Sequence, residues 1–254
     1  GLYYLSLNLE KEIFQDVRVR QALSLALDRK YISETITAGV YTTANHFVPA
    51  GVSDWDGSQF IDNPVDASVI INNEDVEGNL AKAKALLAEA GYPDGVGFPT
   101  ITYTTNDASF HKRIAEYLQQ AWKELGISLE VNIVEWKSFA PQRRAGDYEI
   151  ARNGWNLDYN DPANILEILQ TGNGNNNGFY SNPEYDGLLQ KAADEIDPKT
   201  RFQYMHEAEE LALKEQAMIP LLFYNEPYLQ SEKITGGWHS PDGLWHFQFA
   251  DIAE

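Results

Sequence analysis

Apolar positions along this chain switch between a period of two and a period near 3.6, which predicts strands and helices in alternation. Residues 1–8, Gly-Leu-Tyr-Tyr-Leu-Ser-Leu-Asn, form the first strand pattern. Asp16 then precedes Val17, Leu23, Leu27, Tyr31 and Ile36 at helical spacing, and Gly39 stops the run. The expectation is one long amphipathic helix capped by Asp16, with Arg18, Arg20, Asp28 and Arg29 on its other faces. Residues 42–79 are rich in Gly, Pro, Asn and Asp and keep no period, so they predict a long surface excursion.

Regular patterns resume with a helix at 80–90 that ends at Gly91 and a Pro-Asp-Gly turn at Pro93. A strand at 100–104 follows. The next helix starts near Asp107 or Ser109, turns Ile114, Leu118, Ala121, Trp122 and Leu125 inward, and closes at Gly126. Further on come a strand at 127–134, a short helix at 139–145, a strand at 148–153, an Asn/Gly turn at 172–178, helices at 183–195 and 198–215, and a last strand at 219–224. Such alternation with short links is the pattern of an α/β fold, a mixed sheet flanked by helices. Beyond Asn225 the chain is polar and Gly-rich, yet it carries Tyr228, Trp238, Trp245, Phe247 and Phe249, rings that need a surface to cover them. The division expected is therefore 1–225 as the main unit and 226–254 as a separate segment. Opening directly in a strand, the chain reads as a piece of something longer.

Composition narrows the function. A hydrophobic share of 43% with 6 Trp and 14 Tyr marks an ordered globular chain. The net charge of -19 without any basic tract excludes nucleic acid as a partner, because the average field repels phosphate. The absence of cysteine excludes disulfides and thiolate metal sites. No apolar run approaches the ~20 residues that span a bilayer.

Candidate chemistry is sparse. His206-Glu207 lacks the second histidine of a zinc protease motif and reads as a solvated helix face; no nucleophile elbow or phosphate-cradling loop occurs. Asp158-Tyr159-Asn160-Asp161 has the wrong continuation for a calcium loop, since Pro162 interrupts it and no Glu closes it. Neither a metal, a cofactor nor a catalytic set is expected, and hence no enzyme. What remains is the run 147–162, in which a strand reaches Arg152, Gly154 breaks it, and Trp155, Asp158 and Tyr159 follow just past a carboxyl end. Ligands of open α/β sheets bind at such ends. The same run also fits a capped turn with a buried Trp and an Arg–Asp pair.

These residues resemble the oligopeptide-binding proteins of ABC importers, in the peptide- and nickel-binding superfamily of extracellular solute-binding proteins. The likeness extends through Phe14-Gln-Asp-Val-Arg-Val-Arg-Gln-Ala-Leu-Ser-Leu-Ala-Leu-Asp-Arg29, Ala85-Leu-Leu-Ala-Glu-Ala-Gly-Tyr-Pro93, and Phe179-Tyr-Ser-Asn-Pro183 with Tyr185-Asp-Gly-Leu-Leu189, nearly the whole chain. It implies the second lobe of a two-lobed, periplasmic-binding-protein-like fold, with 226–254 crossing back onto a first lobe that this chain lacks. It also implies an extended oligopeptide held between the lobes, membrane permease subunits as partners, and a location in the periplasm or, lipid-anchored, on the outer face of the cell membrane. By the same resemblance, Asp158 takes the peptide's α-amino group, Arg143, Arg152 or His111 meets its carboxylate according to peptide length, and Trp155 and Tyr159 wall the site. An α-amine with a pKa of about 7.7–8.0 is mostly cationic at neutral pH, so a carboxylate is its natural partner. A dipeptide, nickel-chelate or sugar binder of the superfamily is the nearest alternative; a secreted peptidase is the alternative of another class.

Overall fold

The computed structural model describes residues 1–240 and 243–253. A six-stranded sheet organises the molecule in the order β2-β6-β1-β5-β3-β4, formed by β1 (Leu2–Leu7), β2 (Thr42–Thr43), β3 (Ile101–Asn106), β4 (Leu129–Val134), β5 (Ile150–Trp155) and β6 (Ile219–Phe223). Strands β3, β4, β5 and β6 run one way, and β1 and β2 run the other. The carboxyl ends of four strands therefore meet the amino end of β1 at a single edge. The alternation expected of an α/β fold is realised as this mixed sheet.

Helices cover both faces. On one lie α1 (Val17–Leu25), α2 (Val76–Glu89) and α3 (Ser109–Lys123), which pack Leu23, Leu87, Leu118 and Trp122 against Tyr3, Leu5 and Leu7. Between β4 and β5 lies α4 (Trp136–Arg144). Across the sheet, α5 (Pro183–Asp194) and α6 (Pro198–Lys214) bury Leu188, Met205 and Ala208 against Leu2 and Tyr4. Because β1 is covered on both sides, all six of its residues are buried, which explains its near-continuous apolar sequence. The helix starts follow the acidic and amide caps: Asp16, Asp75, Asn182 and Asp197 each accept a backbone N–H of their own first turn.

Several expectations are corrected. The long helix from Asp16 to Gly39 is broken: α1 ends at Leu25, and Asp28 starts a new turn by accepting the Tyr31 N–H, followed by a π-helical segment at Ile32–Ile36. The capping power of an aspartate inside an apolar period outweighed the period itself. Arg20 and Arg29 are not on solvent faces. Arg29, 1% exposed, donates to the carbonyls of Pro220 and Ser24 at 2.8 and 3.1 Å, and Arg20 to that of Phe14 at 2.7 Å. Burial brings Arg29 down to about 10, still cationic at neutral pH. The excursion expected at 42–79 is shorter, since Thr42–Thr43 form β2 and α2 already begins at Val76; between them the chain has only single 3-10 turns at Phe60–Asp62 and Ala67–Val69, yet it sinks Ala44, Phe47, Val48, Val52 and Phe60 into the second core.

His206 is likewise buried, stacked on Phe60 with centroids 3.7 Å apart, its Nε2 3.0 Å from Asp54 Oδ2. One turn further along α6, buried Glu209 accepts the backbone N–H groups of Phe47 and Val48 at 2.8 and 2.7 Å. Burial pushes the Glu209 carboxyl up to about 7, with Glu210 acting in the same direction and those two N–H groups against it. A folded pKa above the ordinary value means that this group's stabilising contribution is complete in acid and is lost as pH rises through 7. His46, lowered to about 4 by burial and by His206, acts in the opposite sense below its ordinary value of 6.5. The test therefore belongs above that value: E209Q should remove about 1 kcal/mol of the stability lost between about pH 6.5 and pH 8, measured by chemical denaturation at both values.

Past β6, the described residues of 226–254 form two small ribbons, β7 (Ile234–Thr235) with β10 (Asp251–Ile252) and β8 (Trp238–His239) with β9 (Trp245–His246). Pro241, Asp242 and Glu254 lie outside the described residues. The rings expected to need cover pack partly on one another: Trp245 on Phe247 at 5.6 Å, Tyr228 edge-on to Trp245 at 4.6 Å. Phe249 is 75% exposed. No helix among the described residues is long and apolar enough to cross a membrane.

Candidate functional site

A cleft of about 990 Å³ opens at the edge where the strand ends gather. Its floor is built from Gly1 just before β1, Arg152 and Gly154 of β5, and Tyr224 just past β6. Its walls are Tyr41 and Phe110 on one side, the loop from Pro49 to Val52 and the turn carrying Tyr159 and Asn160 on another, and Glu226, His239 and Ser240 of the ribbons.

Arg152 is the central polar group. Its guanidinium lies over the rings of Tyr3 and Trp136 at 5.5 and 5.9 Å, and its Nη2 donates to the Tyr224 hydroxyl at 3.3 Å. Its Nε is buried and has no hydrogen-bond partner among the described residues. Arg143, on α4, donates through Nε to Asn177 Oδ1 at 3.0 Å and through Nη1 to the carbonyl oxygen of Arg152 at 3.4 Å. Burial lowers the Arg143 guanidinium from its ordinary value, and the Arg152 charge pushes the same way. Neither arginine has an ion-pair partner among the described residues, although the chain carries 38 acidic side chains. Two half-buried cations side by side without a carboxylate form a place where an anion is favoured.

Gly154 does not break its strand: β5 continues to Trp155, which pairs with Leu2. Its missing side chain serves a close approach instead, since a Cβ there would stand 2.7 Å from the Tyr224 hydroxyl oxygen. Only glycine lets that ring cross β5 to reach Arg152.

The other candidates fall at different depths. Trp155 is half-buried and packs on the second core, its Nε1 donating to Asn164 Oδ1 at 2.9 Å. Asp158 is exposed beside Tyr159 but is not itself part of the cleft lining; its backbone N–H donates to the same Asn164 oxygen at 3.3 Å, and its carboxylate has no ion-pair partner among the described residues. The neighbouring Asp161 is taken, held by both terminal nitrogens of Arg201 at 2.8 and 3.0 Å. Tyr159, 50% exposed, lines the cleft.

His111 is the placement that departs furthest from expectation. It lies in the first turn of α3 but is 3% exposed, sandwiched between Tyr3 and Phe110, with Nδ1 3.1 Å from the Tyr3 hydroxyl. Burial, and then the Arg152 charge, hold its pKa at about 3, so it is neutral and supplies no cation to the cleft. Its contact orients Tyr3 beneath Arg152. Tyr41, Phe110 and Tyr224 were not singled out from the sequence; Tyr224 was accessible to the same strand-end argument that selected Tyr159, because it directly follows β6.

A sequence profile for bacterial extracellular solute-binding proteins, family 5 middle region, matches residues 1–177. The chain belongs to this family. Similar proteins include the dipeptide-binding protein DppE of Bacillus subtilis, 35% identical over 99% of this chain and 45% of its own length. The oligopeptide-binding protein OppA of the same organism is 32% identical over 93% of this chain and 42% of its own. Among solved structures, the murein tripeptide binding protein MppA of Escherichia coli superposes with a TM-score of 0.78 at 28% identity, covering 92% of this chain and 44% of that one. The OppA of Haemophilus influenzae in complex with RPPGFSPFR superposes with a TM-score of 0.79 at 26% identity, covering 100% and 48%. The chain thus spans a little under half the length of the relatives it matches. Members of the family bind solutes and are not enzymes, and relatives of the OppA type are periplasmic or extracellular.

Proposed function

We propose that this chain is the second lobe of a two-lobed binding protein that captures extended oligopeptides and delivers them to an ABC permease. One observation carries the reading: Arg152 lines the cleft half-buried and without a carboxylate partner among the described residues, and a second half-buried and unpaired arginine, Arg143, donates to its carbonyl oxygen. That is the arrangement a peptide's terminal carboxylate completes. Asp158, exposed beside the cleft-lining Tyr159, is the carboxylate this reading assigns to the α-ammonium group, and Tyr159 with Tyr224 offers flat apolar walls. A cleft of about 990 Å³ is at the upper end of the range for small-ligand sites and suits several residues better than one.

Under this reading residues 1–225 are the lobe, and 226–254 cross to the first lobe, which would cover the exposed rings of the ribbons. The first lobe closes the cleft, no bond is broken, and the protein works in the periplasm or from a lipid anchor outside the cell membrane. The 35% identity to a dipeptide-binding protein keeps a second reading in view, a shorter peptide with the same terminal contacts. Mass spectrometry of the ligands that co-purify with the two-lobed protein separates them. Peptides of three or more residues with free termini are expected; dipeptides alone would favour the second reading, and sugars or metal chelates would overturn both.

A further inference from the structure

Two of the cleft's loop walls are far apart in sequence, yet one helix grips both. Through Arg201, α6 holds Asp161 and with it the turn that carries Asp158, Tyr159 and Asn160. Through Glu209 it takes the consecutive N–H groups of Phe47 and Val48, and through His206 it meets Asp54, whose Oδ2 also accepts from Asn63 at 2.8 Å. The loop is thus pinned at both ends, and the stretch between them, from Pro49 to Val52, is cleft wall. The circuit closes at the surface, where Ser53 N–H donates to Asn160 Oδ1 and Asn160 Nδ2 donates to Ser53 Oγ, both at 2.9 Å. Neither segment has regular structure of its own across the cleft, so its position is set by these attachments.

We propose that α6 sets the spacing of the two walls, and that Arg201, His206 and Glu209 are positioning residues for ligand binding although none of them lines the cleft. This rests on the reading of the cleft as a peptide site. A loop left free would have to be ordered by the ligand at the moment of binding, which lowers affinity without removing any ligand contact. His206 and Glu209 are also placed to stabilise the fold alone, and the tests below are chosen to tell the two roles apart.

The experiment compares Glu209→Met, which removes the acceptor for two N–H groups, with Glu209→Gln, which keeps an acceptor oxygen at the same place, and with Arg201→Met, which acts at a partly exposed pair and leaves the core intact. Hydrogen exchange at residues 47–54 and 158–161 is read in this chain, and calorimetric affinity for Ala-Ala-Ala and for Ala-Ala in the two-lobed protein, at a temperature where all variants are folded. Glu209→Met should speed exchange in 47–54 and weaken binding at least tenfold, Arg201→Met should do the same through 158–161, and Glu209→Gln should restore both readouts to near wild type. Unchanged exchange overturns the proposal, as does faster exchange with unchanged affinity. Should Glu209→Met fail to fold, Arg201→Met decides. A wild-type protein that binds neither peptide overturns the peptide reading, and with it the proposal, whatever the exchange data.

Discussion

Replacing Arg152 by methionine is expected to weaken the binding of a free-carboxylate peptide by about a hundredfold in the two-lobed protein. Methionine keeps an apolar stem against Tyr3 and Trp136 while removing the only cation that reaches the cleft floor from β5 among the described residues. Hydrogen bonds to a charged group contribute about 1.5–3 kcal/mol each, and about 1.4 kcal/mol corresponds to a factor of ten. Arg143 should retain part of the attraction, because it lies beside Arg152 and donates to its carbonyl oxygen. Calorimetry with a peptide and its C-terminal amide checks the mechanism: the variant should bind both with similar affinity, whereas the wild type should prefer the acid. An equal loss for acid and amide would show that Arg152 supports the cleft without meeting the carboxylate.

Asp158→Ala is expected to cost about tenfold or more with a free-amine peptide and almost nothing with its N-acetylated form. The side chain is exposed and free of ion pairs among the described residues, so its removal leaves no buried partner stranded and should not disturb folding. Any loss then belongs to the ligand. Closure of the first lobe would strip water from the pair and strengthen it toward the upper end of about 1.5–3 kcal/mol. Unchanged calorimetric affinity for the free-amine peptide would remove Asp158 from the site and point to another carboxylate, of which Glu226 is the one in the cleft wall.

Local chemistry made much of the fold legible. Asp16 marked a helix start, Gly91 and Gly126 marked stops, and the apolar face of α3 was identified residue by residue. The departures share a physical cause, which is partnership across long stretches of chain. His206 looked solvated because its partners, Asp54 and Phe60, are some 150 residues earlier in an irregular loop. Arg29 looked like a surface arginine because the carbonyl that receives its Nε belongs to Pro220. Of the residues that the strand-end rule selected, Tyr159 lines the cleft and Trp155 and Asp158 do not; Arg152, which lines it, was named through the resemblance, and the depth of His111 was not legible. A histidine in a helix's first turn carries no sign of whether the next layer is water or, as here, Tyr3 and Phe110.

The central place of β1 bears on when this molecule can fold. Leu2 pairs with Trp155 on one side and Phe223 on the other, partners made roughly 150 and 220 residues later. At a synthesis rate of about 5–20 residues per second, the strand waits about ten to forty seconds for its second neighbour. Until then β1 lacks one of its two neighbours, and neither core can close, because each rests on one face of β1. Topologies dominated by such distant pairings form slowly. The sheet therefore locks only after its last strand has arrived.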